Sequence, residues 1–216
     1  MISFLSHLVN GISLGSVYAI IALGYSMVYG IAKMLNFAHG DVIMIGAYIS
    51  FCVMQYLELP PAVSVVAAML VCTALGVFIE RLAYKPLRQA TSLAVLITAI
   101  GMSYLLQNVA LLVWGANPKS FPSVVSLGSL SFFDGQLLIS GETIVTVLMN
   151  IIIMVGLTLF TGKTKMGKAM RACSEDKGAA QLMGINVNGT ISLTFAIGSG
   201  LALSLIHISE PTRLGM

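Results

Sequence analysis

Residues 8–32 contain no Asp, Glu, Lys or Arg, and that run removes most of the folds open to a chain. A helix crossing a hydrocarbon core of roughly 30 Å takes about 20 apolar residues, at about 1.5 Å each. Charge-free runs recur at 42–57, 62–79, 92–114, 143–161 and 190–208, with charges or the Pro60-Pro61 pair between them. Only 9% of the residues are charged and 57% are hydrophobic, whereas a soluble domain carries about 25% charged residues. Too little polar surface is left for a fold in water. The spacing predicts an all-α, polytopic transmembrane helical bundle of about six spans. The run 42–57 is the shortest, and a tilted, partly re-entrant element is the alternative there.

The N-terminus, MISFLSHLVNGISLGS, lacks the basic stretch of a cleavable signal, so the first run reads as a retained anchor. A net charge of +3 is too small to argue for a nucleic-acid partner. Cys52, Cys72 and Cys173 suit neither a zinc site nor a disulfide framework. Neither a metal nor a cofactor is expected.

Basic residues orient the bundle, because Lys and Arg accumulate on cytoplasmic loops. Arg81, Lys85 and Arg88 lie in one loop, and Lys163, Lys165, Lys168, Arg171 and Lys177 in another. Two runs separate these loops, so both fall on one side. Parity adds Lys33 to that side and places 58–61, 115–142 and the N-terminus opposite. Trp114 then sits at the outer end of its span, as an interfacial anchor or a packing aromatic.

The polar stretch 165–186, KMGKAMRACSEDKGAAQLMGIN, therefore faces the cytoplasm. Ser174 is the expected N-cap, with Glu175 and Asp176 in the first turn, where the helix dipole favours negative charge. Gly184 is the expected residue just past the helix C-terminus. The helix between them has roughly nine residues and places Ala179, Leu182 and Met183 on one face. Met166, Met170 and Cys173 form a second apolar stripe before it. So short a helix needs support, from the underside of the bundle or from another protein.

Asn36, His39 and Asp41, in NFAHGD, stand at the start of the second run. They read as part of a gate or pathway, or as a helix N-terminus with Asp41 near the cap and His39 in the interface. The second reading is the preferred one. A proton relay would need a further acid inside a span, and Asp41 is the only one expected there. GLTLFTGKT (156–164) imitates a phosphate-binding loop, but five residues separate its glycines where that loop needs four. Gly11-x-x-x-Gly15 and the pairs Gly24/Gly30, Gly40/Gly46 and Gly198/Gly200 suggest close helix packing. The loop 115–142, rich in Gly, Ser and Pro, is expected outside as short strands or a surface helix, with Asp134 and Glu142 its only acids.

Three separate stretches carry a resemblance. NGISLGSVYAIIALGYSMVYGIAKMLNFAHGDVIMIGAY, IERLAYKPLRQATSLAVLITAIGMSYLLQN and KMGKAMRACSEDKGAAQLMGINVNGTISLTFAIGSGLA resemble, in order, the permease subunits of branched-chain amino acid ABC transporters. The likeness runs over about 8–202. It implies one transmembrane permease domain over 1–202 with a cytoplasmic coupling loop at 162–189. Ala179, Ala180 and Gly184 keep the A-A-x-x-x-G spacing of the importer motif that docks on the ATPase. Gly178 replaces the motif's glutamate, so Glu175 or Asp176 would supply the acid, and Arg171 lies in the same loop. The resemblance further implies a second permease subunit, cytoplasmic ATPase subunits, a periplasmic substrate-binding protein, an amino acid substrate and a bacterial inner membrane. The chain would not itself be an enzyme. The stretch 203–216 departs from the family pattern and suggests an atypical, artefactual tail on an incomplete fragment, with a true short variant carrying a small outside tail as the alternative. An ion-coupled secondary transporter and a non-transporting membrane scaffold are the competing readings.

Overall fold

The computed structural model describes residues 2–117, 130–132, 137–139 and 141–209. Eight helices dominate them: α1 (Ile2–Ala32), α2 (His39–Tyr56), α3 (Pro61–Ile79), α4 (Ser92–Trp114), α5 (Gly141–Lys163), α6 (Lys165–Glu175), α7 (Lys177–Leu182) and α8 (Val187–Ser209). α3 runs on into a π-helical turn (Glu80–Tyr84) and a 3-10 turn (Lys85–Leu87). The expected strands in the outer loop are β1 (Leu130–Phe132) and β2 (Leu137–Ile139), paired antiparallel with Leu130 opposite Ile139. Asp134 lies outside the described residues, as do 210–216.

Local chemistry sets the helix ends. Pro60 is extended and Pro61 opens α3, where a missing N–H costs nothing. The Thr91 hydroxyl caps α4, and Gly115 at φ +78° ends it. Thr164 caps α6 through Gly167 N–H at 2.9 Å. A β-carbon at Gly167 would collide with the Phe160 carbonyl and Thr161, so glycine is required where α5 turns into α6. Lys33, at φ +55°, ends α1 in a conformation that costs a non-glycine residue about 1–2 kcal/mol.

Packing is apolar outside and partly polar inside. Leu112 is 85% exposed and Leu70 67%, while Ser50, Ser64, Glu80 and Thr194 are fully buried. A fold in water reverses that pattern; lipid permits it, because side chains facing hydrocarbon have no water to avoid. α8 lies at the centre, packed on α1, α3, α5 and α2. The main core joins Val28, Val42, Cys72, Ala99 and Phe195 from five helices.

Small residues bring the helices close. A β-carbon on Gly24 would stand 2.9 Å from the Gly198 carbonyl, and one on Gly200 2.8 Å from Thr73 Oγ1. Gly76 lies against Ser199. Gly198 and Gly200 thus serve close packing as expected, whereas Gly11, Gly15, Gly30 and Gly40 have open space beside them among the described residues.

Among the described residues, four helical stretches are long and apolar enough to cross a membrane: His7–Ala32, Pro61–Leu87, Ser92–Trp114 and Thr143–Lys163. The expected count of six is therefore over what length and composition support. α2 falls short because His39 and Asp41 occupy its first turn. Two further expectations are settled here. Trp114 is a packing aromatic, stacked on Tyr48 at 4.8 Å and donating to Cys52 Sγ. The glycines of GLTLFTGKT lie within α5, so no loop forms there.

Candidate functional site

One end of the bundle gathers the basic loops. Lys33, Arg88 and Lys177 line a single cavity of about 350 Å³. Lys177 Nζ donates to the Ala32 carbonyl at 2.6 Å, closing the C-terminus of α1 where the helix dipole favours a cation. Burial holds the Lys177 ammonium below the ordinary lysine range, and Arg88 and then Lys33 push the same way against the opposing influence of Cys173. The loops that positional bias assigned to one side thus meet in space.

α6 packs on α5, α8 and α1, and α7 packs on α6 and α8. Met170 and Cys173 are buried against Ile31 and Ala180, as the second stripe predicted, while Met166 is 41% exposed. Burial raises the Cys173 thiol above its usual range. The helix expected from Ser174 begins later. α6 continues through Glu175, Ser174 Oγ donates to the Arg171 carbonyl, and Asp176 is the cap, accepting from Gly178 N–H at 2.7 Å and Ala179 N–H at 3.0 Å. α7 is six residues long rather than roughly nine. The α6 helix is prolonged because its buried face holds it against the bundle, which overrides a good cap at Ser174.

Gly184 ends α7 as expected, at φ +81°. Gly184 N–H reaches the Gln181 carbonyl and Ile185 N–H the Ala180 carbonyl, both at 3.0 Å, the paired bonds of a Schellman turn. Ala180 is 3% exposed and faces the bundle. Ala179, Leu182 and Met183 face out, the last two at 90% and 82% exposure. Arg171 donates to the Gly162 carbonyl at 3.3 Å and Asp176 is occupied in capping, so Glu175 is the acid left exposed beside α7.

The second constellation lies deep: Asp41 stands in the first turn of α2, as the preferred reading of Asn36, His39 and Asp41 has it, but His39 lies inside the bundle rather than in an interface. All three are buried, at 4%, 3% and 9% exposure. His39 packs against Gly24, about two turns or roughly 12 Å inside the end of α1. Asp41 Oδ1 accepts from Gln107 Nε2 at 3.0 Å, and Gln107 lies about four turns into α4. Residues 33–38 therefore re-enter the bundle, and α2 starts in its interior rather than in an interface. Asn36 Oδ1 accepts from the Tyr84 hydroxyl at 3.0 Å. Among the described residues, neither nitrogen of His39 has a hydrogen-bond partner. An unpaired buried polar group costs about 1–3 kcal/mol, so His39 retains a strong capacity to bind a polar guest.

A third cluster was missed. Glu80, fully buried, pairs with Arg88 and accepts from Ser192 Oγ at 2.6 Å, and Arg88 also donates to Asn188. Asp41 is thus not the only acid buried among the helices. The signal was IERLAYKPLR itself, where Glu80 and Arg88 stand two helical turns apart. The latch fastens the end of α3 to the first turns of α8, which follows α7 directly.

Comparison with known proteins agrees with this architecture. Residues 7–203 match the family described as branched-chain amino acid transport system / permease component. The high-affinity branched-chain amino acid transport system permease protein BraD of Pseudomonas aeruginosa is 43% identical, over 92% of this chain and 68% of its own length. LivH of Escherichia coli K12, named in the same words, is 42% identical over the same shares. A probable branched-chain amino acid transport permease protein LivH of Methanocaldococcus jannaschii is 28% identical over 85% of this chain and 59% of its own length. No solved structure matches. With an apolar exterior, membrane-length helices and a match over nearly its whole length, this multi-pass membrane protein belongs to the family of branched-chain amino acid transport system permease components.

Proposed function

We propose that the chain is the membrane-spanning permease subunit of an ATP-driven importer in a bacterial inner (plasma) membrane, and that it moves branched-chain or related amino acids. The basic end faces the cytoplasm, in keeping with the positive-inside bias. A second permease subunit shares the path, cytoplasmic ATPase subunits hydrolyse ATP, and a periplasmic protein delivers the substrate.

The observation that carries this reading is a continuous mechanical connection. α7 presents Leu182 and Met183 outward while Ala180 and Lys177 hold it to α1. α8 begins immediately after the Gly184 turn, and Gly198 on α8 meets Gly24 on α1 beside His39. A push on α7 from the ATPase reaches the α1–α8 contact where His39 waits unpaired. Asn36, His39 and Asp41 line the pathway or gate; a helix N-terminus inside a bundle suits a substrate carboxylate. Leu182 and Met183, with Ala179, Glu175 and Gly184, form the docking face, while Arg171, Asp176 and Ala180 hold its shape. Glu80 does not favour ion coupling, because Arg88 and Ser192 occupy its oxygens.

The test is Leu182→Asp with Met183→Asp in the assembled transporter. Both side chains are exposed, so the helix content stays unchanged while substrate-stimulated ATP hydrolysis falls roughly thirtyfold, the loss of about 2 kcal/mol expected of an interface anchor. Undiminished hydrolysis in that variant refutes docking through α7. Cysteine at position 176 is expected to resist impermeant thiol reagents added from the periplasm; rapid labelling there overturns the orientation.

A further inference from the structure

At the basic end, the end of α3 with its π-helical and 3-10 turns and the start of α8 line a groove of about 490 Å³. The two helices run antiparallel, so each contributes a stripe graded along its length. On the α3 side, Val77 lies deepest, Arg81 comes next and Lys85 is nearest the end of the bundle. On the α8 side, Ala196 is deepest, Leu193 follows, and Asn188 lies at the mouth. The groove is thus apolar where it enters the hydrocarbon and cationic and amide-lined where it leaves.

Among the described residues, neither Arg81 nor Lys85 has an ion-pair or hydrogen-bond partner, and both are exposed. Glu80, next to Arg81 in the chain, is buried and pairs with Arg88 instead.

We propose that this groove holds an anionic phospholipid, with its phosphate between Arg81 and Lys85 and an acyl chain along Val77, Leu193 and Ala196. Two unpaired cations suit an anionic headgroup, and the apolar lining of Val77, Leu193 and Ala196 suits one with a hydrocarbon tail. Basic pockets between transmembrane helices at the cytoplasmic face take such headgroups. The lipid bridges α3 and α8 outside the Glu80–Arg88 latch and steadies the helix that follows α7. The assignment does not depend on what the chain transports.

The full chain, purified in a neutral detergent, is titrated with phosphatidylglycerol, phosphatidylcholine or inorganic phosphate, and thermal midpoint and native mass are recorded. Phosphatidylglycerol is expected to give a saturable rise in midpoint and a retained lipid mass, and the other two neither. Arg81→Gln with Lys85→Gln weakens phosphatidylglycerol by roughly 25-fold, about fivefold per cation removed. Ala196→Trp, which leaves the charge alone and fills the apolar end, removes the saturable response. Lys163→Gln with Lys165→Gln, an equal charge change elsewhere on the same end, leaves it intact. Equal responses to the two lipids, equal losses in the two lysine/arginine double variants, or a full response to inorganic phosphate each overturn the assignment. So does a dimer in the native mass spectrum that Ala196→Trp dissociates without loss of lipid, because a second copy would then fill the groove.

Discussion

Arg88→Gln is the perturbation that reads the buried latch most directly. Glu80 has no exposed side-chain area, whereas the Arg88 side chain keeps 14%. Removing Arg88 leaves the buried Glu80 carboxylate with Ser192 Oγ alone. Breaking a buried pair in this way costs about 3–5 kcal/mol, most of it from the stranded charge. The mirror change, Glu80→Gln, leaves Arg88 hydrogen-bonded to Asn188 and partly hydrated, and is expected to cost about 1–2 kcal/mol. The double variant places two neutral amides together and recovers about 2 kcal/mol of the summed single costs, a coupling in the range of contacting residues. Denaturant unfolding of the detergent-solubilised full chain, followed by helical circular dichroism, measures all four proteins. The sign of the asymmetry is the discriminating result. If Arg88→Gln costs no more than Glu80→Gln, or both stay within about 0.5 kcal/mol as surface changes do, Glu80 is not a charged, buried partner and the latch argument fails.

Three further outcomes follow from individual contacts. Gly198→Val inserts a branched side chain where a β-carbon would already meet Val28 at 2.9 Å and the Gly24 carbonyl at 3.1 Å; overpacking of about 1–3 kcal/mol is expected, read by the same denaturant unfolding, and an unchanged midpoint refutes the close α1–α8 contact. Asp176→Ala removes the α7 cap at a cost of about 1 kcal/mol, while Asp176→Asn retains it; proteolysis within 176–184 distinguishes the two. Lys177 has a lowered folded-state pKa, so its charged form opposes folding at low pH and that penalty is relieved as pH rises through the lowered value. Amine acylation read residue by residue by mass spectrometry should therefore show the Lys177 rate reaching its plateau at lower pH than that of the exposed Lys168; coincident pH profiles refute the assigned environment.

Much of the fold was legible because its signals are local or additive. Charge-free runs, Pro60-Pro61 and the clustering of Lys and Arg specify helices and a common basic end without reference to any neighbour. Gly184 was legible for the same reason: a left-handed helix terminus is a property of one backbone position. The start of α7 was not, since Ser174 and Asp176 are both competent caps and burial of Met170 and Cys173 chose between them. The Glu80–Arg88 latch was half visible, as a helical spacing, but its third and fourth members come from α8, far along the chain. Leu182 and Met183 were placed on one face correctly, yet only packing tells which face of so short a helix is free.

Sequence alone determined the solvent of this protein, the rough position of its helices and which loops share a side, because hydropathy and charge bias act residue by residue over long stretches. Tertiary structure alone decided that Asn36, His39 and Asp41 lie in the interior, that α8 is the central helix, and that the glycines at 24 and 198 meet while those at 11 and 15 meet nothing among the described residues. Depth and helix contact depend on how far 33–38 folds back and on which small residues coincide across helices. Those are relations between distant segments, and no periodicity within one segment encodes them.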